Sequence, residues 1–426
     1  FKGGCVMKTV NAWLARLAED ATPSFDECVA QLGADLPLLL RFKDTPQDAE
    51  WHAEGDVHIH TSMVLNELYQ LLNTEAQPIQ GTERQALILG ACLHDIAKPL
   101  CTKSYEKEGR IRIGSSGHED KGRSYLAPKL MKWQLDFKVV WSVLNLVGEH
   151  QMPRQLVLRQ RNQAAFLSLA RQSNMQLLYW LERADIQGRF CVDRELDLLV
   201  LDEFRELCQY YGVWDRSDPL ANIRPALAVL SSSAQEYVQT YALAELASGK
   251  ITQAEEALST TFQHREHYAH LVITCGLSGS GKSTWLQTHY PDYERISLDE
   301  LREQWNGDRA SQEHSGEIRQ QAKEALKAAL RVKHGVIWDA TNLRRDFRSM
   351  VADLGRDYHA LVTLVVFLLP ETELRKNNRA REHFVPDAVL DRQLESYQFP
   401  TVNEAHQFWV VGAKGETLWR SGFTND

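Results

Sequence analysis

The chain has 426 residues, 43% of them hydrophobic and 25% charged, with a formal charge of −9. That length exceeds one ordinary core and predicts two or three domains, and the composition predicts a globular chain and excludes a disordered one. The acidic balance excludes coating of long nucleic acid through a phosphate-neutralising track, but not recognition of a short end.

The cysteines (Cys5, Cys28, Cys92, Cys101, Cys191, Cys208, Cys275) are odd in number and scattered, with no C-x-x-C pair. Reduced thiols in a cytoplasm are expected, not a disulfide framework or a zinc knuckle. The opening FKGGCVMKTV lacks an apolar core, so no signal peptide is expected. The longest apolar run, ALVTLVVFLLP (360–370), is too short to span a bilayer and predicts a buried strand, so no membrane partner is expected.

Residues 12 to about 211 show helix-period apolar spacing with few strand signals and predict an all-helical domain over 7–215. Within it, RQALILGACLHDIAK predicts a helix stopped by Pro99 just after Lys98. A single His-Asp step such as His94-Asp95 is usually a satisfied core pair. Here His60 stands upstream in HIHTSM, and His118, His150 and Asp185 follow downstream, each near a helix end or one helix-plus-loop away. Helices packed side by side would point all six at one centre. Adjacent helical residues diverge by about 100°, so His94 and Asp95 would serve two neighbouring ions with the carboxylate bridging.

That order resembles the HD phosphohydrolase superfamily. The resemblance makes His60 the ligand and His58 the spare. It puts Lys98 where that family often has a basic residue, as a catalytic candidate. Some members keep one metal, which leaves His118 and His150 open. Imidazole and carboxylate ligands suit one or two ions of Mn, Fe, Co or Ni, which lower the pKa of bound water and clamp a phosphate for hydrolysis.

Residues 216–265 predict more helix. They are read as a connector, or equally as the end of the first domain. From His270 the runs HLVITCG, RISLD, GVIWDAT and LVTLVVFLL alternate with helical segments. They predict a parallel sheet covered by helices on both faces over 266–426, with a terminal hairpin turning at Gly-Ala-Lys-Gly.

The segment GLSGSGKST (276–284) follows a strand and opens a helix, with Gly276, Gly281, Lys282 and Ser283 in the G-x-x-x-x-G-K-S/T positions. Its backbone, including Ser278, Gly279, Ser280 and Thr284, would cradle the phosphates of ATP or another NTP. Lys282 would reach the β and γ phosphates and Ser283 would hold Mg²⁺, with Asp339 at the end of the apolar strand GVIWD binding the ion through water. Asp299 ends another strand. It is either the general base for an attacking hydroxyl or the cap of the helix DELREQW. Arg375, Lys376, Arg379 and Arg381 suit a lid over the phosphates.

GLSGSGKST, LDELR, DATNLRRDFR and NNRAREHFVPDAVLDRQL resemble the 5′-hydroxyl polynucleotide kinase family of viral and bacterial RNA repair enzymes. The resemblance implies that Asp299 is the base and Arg302 a contact to the nucleic-acid phosphate. It also implies a catalytic lid arginine, with Arg379 and Arg381 both fitting. Taken whole, the chain resembles bacterial bifunctional HD-domain phosphoesterases with polynucleotide kinase activity. That implies healing of RNA ends (DNA remaining open), followed by a separate ligase. Two rivals stand: a small-molecule kinase fused to a nucleotide phosphohydrolase, and a nucleotide-sensing regulator.

Overall fold

The computed structural model describes residues 2–308, 311, 313–381 and 383–421, with side chains from Thr9 onward. The six cysteines among these side chains are free thiols, and Cys5 lies outside them. The chain divides into two compact units, Phe1–Ser217 and Asp218–Asp426. No helix among the described residues is long and apolar enough to cross a membrane.

The first unit is built around the helix Gly81–Leu93, buried from Arg84 to Leu93. A helix that is covered on every side must have neighbours on every side. Val57–Leu72, Phe137–Glu149 and Met175–Gln187 pack against it, and His118–Leu130 packs on Phe137–Glu149. Two glycines permit close approaches between these elements. A Cβ on Gly148 would lie 2.0 Å from the buried Arg123 guanidinium, and one on Gly188 would lie 2.8 Å from the Val64 backbone nitrogen.

The expectation of an all-helical domain is corrected by strands β1 (Lys103–Lys107) and β2 (Arg110–Gly114), an antiparallel hairpin. Its turn has Glu108 and Gly109 both at positive φ, the geometry that matches the twist of a two-residue hairpin. The hairpin is mostly solvent-exposed, so no apolar run announces it. The helix expected to run to Lys98 is also corrected. It ends at Leu93, residues 94–97 form a turn, and Pro99 falls in the first turn of a separate short helix, Lys98–Cys101. Proline lacks only an N–H that a first turn leaves unused.

In the second unit, strands β3 (His270–Cys275), β4 (Glu294–Ser297), β5 (Gly335–Asp339), β6 (Leu361–Phe367), β7 (Gln407–Val411) and β8 (Thr417–Ser421) form one sheet. Its order is β4-β5-β3-β6-β7-β8, parallel except for the β7–β8 hairpin. Strand β6 is buried along its whole length, as a central strand covered on both faces must be. Crevices at the carboxyl ends of such strands are where ligands bind.

Residues 218–265, read as a connector or as the end of the first domain, fall within this second unit. Leu220, Ile223, Leu227, Val238 and Ala242 form an apolar cluster there. Tyr237 stacks on Tyr268 at 4.5 Å and donates its hydroxyl to the His359 carbonyl at 2.9 Å.

Candidate functional site

Helix ends assemble the first site. His60 lies in the first turn of Val57–Leu72, whose start is fixed by Asp56 accepting from the Ile59 N–H at 2.9 Å. His94 and Asp95 follow the end of Gly81–Leu93 directly. His118 opens His118–Leu130 behind Gly117, which has φ 78°. His150 caps Phe137–Glu149, and Asp185 lies in the last turn of Met175–Gln187. None of the six is more than 3% exposed.

Their ligand atoms form two triads, His60–His94–Asp185 and Asp95–His118–His150, each with its atoms within 4.8 Å of one another. Asp95 spans both, with Oδ1 3.1 Å from His118 Nε2 and Oδ2 3.2 Å from His94 Nε2. Asp185 Oδ1 lies 2.9 Å from His60 Nε2. His94 keeps helical dihedrals (φ −54°, ψ −35°) at the end of its helix, and Asp95 sits in the turn of residues 94–97 that follows. His58 points elsewhere, edge-on to Phe25 and 3.1 Å from Asp26.

The tautomers are set from outside. Nδ1 of His94, His118 and His150 donates to the carbonyls of Ala91, Ser115 and Val147 at 2.8, 2.8 and 2.9 Å. A carbonyl only accepts, so each Nδ1 carries the proton. Glu54 Oε1 lies 3.0 Å from His60 Nδ1 without a hydrogen bond to it, and is bonded to His52 Nδ1 at 2.8 Å. Such outer partners orient metal-binding imidazoles.

Burial depresses the pKa of His60, His94 and His150, so the neutral ring is favoured. Burial drives His52 down to about 3. Burial alone would raise the Asp95 carboxyl, but His94 and Lys98 hold it well below the usual range. Lone pairs therefore face carboxylate oxygens. Nε2 of His60, His94 and His118 makes no hydrogen bond. An unpaired buried polar atom costs about 1–3 kcal/mol, and a cation between facing acceptors removes that cost. The donor set fits one or two metal ions.

Around this cluster, Lys98 Nζ lies 2.7 Å from Asp95 Oδ2 and donates to Gln47 Oε1 at 2.7 Å. Arg189 forms an ion pair with Asp185. A cavity of about 410 Å³ opens beside the cluster, lined by Lys98, His118, His52, Trp51, Arg154 and Arg189. Sequence reasoning missed Glu54 and Arg189. The i, i+4 spacing of Asp185 and Arg189 was the available signal for the second.

The second site lies where β3 runs into the helix Lys282–His289. Gly279 and Gly281 both have φ 83°, a conformation that favours glycine. A Cβ on Gly279 would also meet the Leu374 carbonyl at 2.5 Å. Lys282 donates to the carbonyls of Gly276 and Leu277 at 2.8 and 3.0 Å, and burial lowers its pKa. Ser278 is held by Gln393, which accepts its N–H and donates to its hydroxyl, both at 3.0 Å.

Arg295, unnoticed in the sequence, donates to Asp339 Oδ2 through Nε at 2.8 Å and to Ser283 Oγ through Nη2 at 3.1 Å. Ser283 and Asp339 thus converge on one cationic group, and this donor pair fits Mg²⁺.

The helix Leu298–Asn306 is capped by Ser297, whose Oγ accepts from the Glu300 N–H at 3.3 Å. Asp299 is therefore not the cap. It is 55% exposed, bonded to Arg302 at 2.5 Å, and lines a cavity of about 620 Å³ with residues 278–284, Asp339 and Arg381. Of the two lid candidates, Arg381 lines this cavity. Arg379 instead pairs with Asp387 at 3.1 Å. Arg375 is tied to Glu371 and Asp391, and Lys376 pairs with Glu373.

No match is found among the curated proteins. Residues 271–400 match the AAA_33 family, described as an AAA domain. The match spans the strand, the glycine-rich loop, Asp299, Asp339 and the lid segment, and stops short of the first unit. Residues 271–400 form a P-loop, kinase-like nucleotide-binding domain.

Proposed function

We propose that this protein heals RNA ends with two chemically opposite phosphate sites. The first unit hydrolyses a 2′,3′-cyclic phosphate or a 2′- or 3′-phosphate. The second phosphorylates a 5′-hydroxyl from an NTP, leaving ends suited to a separate ligase. One observation carries the reading: a buried imidazole–carboxylate cluster and a P-loop cavity containing Asp299 occur on the same chain.

In the first unit, His60, His94 and Asp185 would hold one ion and Asp95, His118 and His150 a second. Bound ions of this kind supply a water of lowered pKa and neutralise phosphate charge. The residues around them do the rest. Lys98 and Arg189, in the adjoining cavity, offer cationic partners to the phosphate oxygens. Burial of Lys98 and Arg189 strengthens those contacts.

In the second unit, Lys282 and Arg381 neutralise the NTP phosphates, and Ser283 and Asp339 would hold Mg²⁺. Asp299 takes the proton of the 5′-hydroxyl, whose oxygen forms a bond to the γ-phosphorus. The bond from that phosphorus to the β–γ bridging oxygen breaks, and the diphosphate leaves.

Separation of function tests this. Asp95→Ala should abolish hydrolysis of a 2′,3′-cyclic phosphate end and leave 5′ phosphorylation near wild type, and Lys282→Ala should do the reverse. Loss of both activities from either change, in protein that stays folded by circular dichroism, would contradict it.

A further inference from the structure

The hairpin β1–β2 stands at the mouth of the metal-cluster cavity, which its residues Ile113 and Gly114 help to line. Three contacts hold it there. The Thr102 and Ser115 hydroxyls meet at 2.7 Å at its base, Arg112 Nε donates to Asp48 Oδ2 at 2.8 Å, and the Ile113 N–H donates to the same oxygen at 3.0 Å. Side chains alternate between the faces of a strand, and directly opposed residues share a face. The register pairs Lys103 with Gly114, Tyr105 with Arg112 and Lys107 with Arg110, so one face carries all four cations and Tyr105. The other face carries Ser104, Glu106, Ile111 and Ile113. Lys103, Lys107 and Arg110 are exposed and form no ion pair among the described residues. Tyr105 is 50% exposed and lies over Gly114, where a Cβ would come within 3.0 Å of its ring.

Folding alone does not call for this arrangement. Like charges directly opposite one another destabilise a strand pair, and Lys107 faces Arg110. Lysines that merely blunt an exposed edge need not share a face. A ladder of cations with a half-exposed ring, in a chain of formal charge −9, fits single-stranded nucleic acid, cations on phosphates and the ring under a base. The ladder also has a direction. Its rungs are about 7 Å apart, and the innermost, Lys103–Gly114, lies at the cavity. A strand laid along it presents its terminal phosphate to the metal cluster and runs back towards the hairpin tip.

We propose that this face of the hairpin is a guide arm for the RNA strand entering the phosphoesterase site. Lys103, Lys107 and Arg110 hold backbone phosphates upstream of the 3′ end, and Tyr105 stacks on a base. Arg112, tied to Asp48 and Glu50, fixes the arm to the cavity rim and holds no phosphate. The inference rests on the phosphoesterase reading above. It adds the surface that holds the strand, and with it a preference for a cyclic phosphate at a strand end over the same group on a mononucleotide.

The test compares steady-state hydrolysis, by the full chain with Mn²⁺, of 2′,3′-cyclic AMP and of an RNA hexamer ending in a 2′,3′-cyclic phosphate. Lys103→Ala/Lys107→Ala/Arg110→Ala should raise the KM for the hexamer at least tenfold, with kcat and KM for cyclic AMP within about twofold of wild type. The slope of log KM against log salt for the hexamer should fall by about 2, the value for three phosphate contacts on a single strand. Lys107→Arg/Arg110→Lys, which exchanges the two cations and keeps the charge, should retain that slope. Tyr105→Ala should raise the hexamer KM about 5- to 100-fold, as loss of one base–aromatic stack does. An unchanged hexamer KM in both the triple variant and Tyr105→Ala overturns the arm while leaving the phosphoesterase reading intact. An equal rise for both substrates also overturns it, since the change would then lie in the metal site. A wild-type protein that hydrolyses neither substrate overturns the phosphoesterase reading, and the arm with it.

Discussion

Asp299→Asn separates chemistry from architecture because the structure gives Asp299 so little structural work. The cap of its helix is Ser297, so replacing Asp299 leaves the Glu300 N–H satisfied. Its contact with Arg302 joins a carboxylate 55% exposed to a guanidinium 23% exposed, and exposed pairs contribute about 0–1 kcal/mol. Folding stability should therefore fall by no more than about 1 kcal/mol. A lost general base costs about 10²–10⁴-fold in rate, or about 2.7–5.5 kcal/mol of barrier. The second effect exceeds the first severalfold, so instability cannot mimic it. The assay is single-turnover phosphorylation of a 5′-hydroxyl RNA at saturating ATP, with ATP affinity measured in parallel. ATP affinity should hold, since residues 276–284 are untouched. Phosphorylation within a few-fold of wild type would refute the assignment.

Metal ions should stabilise the first unit, because they relieve facing acceptors at His60, His94 and His118. In metal-stripped protein, Mn²⁺ or Ni²⁺ at a hundred times its calorimetric Kd should add about 2.7 kcal/mol, raising the Tm of that unit by about 5–11 °C. Mg²⁺ at the same concentration should do less, and a flat Tm with every ion would contradict the ligand assignment. In the second unit, burial lowers His270 to about 4, where its ring meets the Tyr293 and Thr363 hydroxyls at 2.7 and 2.8 Å. Its unfolded value is about 6.5, so between pH 6.5 and 4 the unfolded chain binds the extra proton. Stability contributed above pH 6.5 is thus lost as pH falls towards 4, by about 2–3 kcal/mol. Urea unfolding at pH 7 and 4.5 should show that loss in wild type and a smaller one in His270→Gln; equal losses would refute it.

Residues restricted by their chemistry were the legible ones. A metal centre accepts few residue types, so His60, His94, Asp95, His118, His150 and Asp185 stood out by kind and order, and the structure brings all six together. The glycine-rich loop was legible because close phosphate approach forbids side chains. Residues acting by position alone were not. Arg295 and Arg189 read as ordinary surface charge until folding brings them to Asp339 and Asp185. Arg379 and Arg381 are equivalent in sequence. They part only when one pairs with Asp387 and the other turns into the cavity. The β1–β2 hairpin escaped because exposed strands carry no apolar periodicity. The helix end at Leu93 was misplaced because Pro99 looks like a stop but serves as a start.

The central claim is that one chain carries two phosphate chemistries of opposite sense. The direct measurement is end-group analysis of a single RNA bearing a 5′-hydroxyl and a 2′,3′-cyclic phosphate, incubated with the full-length protein, ATP-Mg²⁺ and Mn²⁺ or Ni²⁺. The account predicts that the same molecules gain a 5′-phosphate and lose the cyclic phosphate, and that omitting ATP abolishes only the first change. An RNA that emerges with both original ends intact, from protein shown to bind ATP and metal, would contradict it.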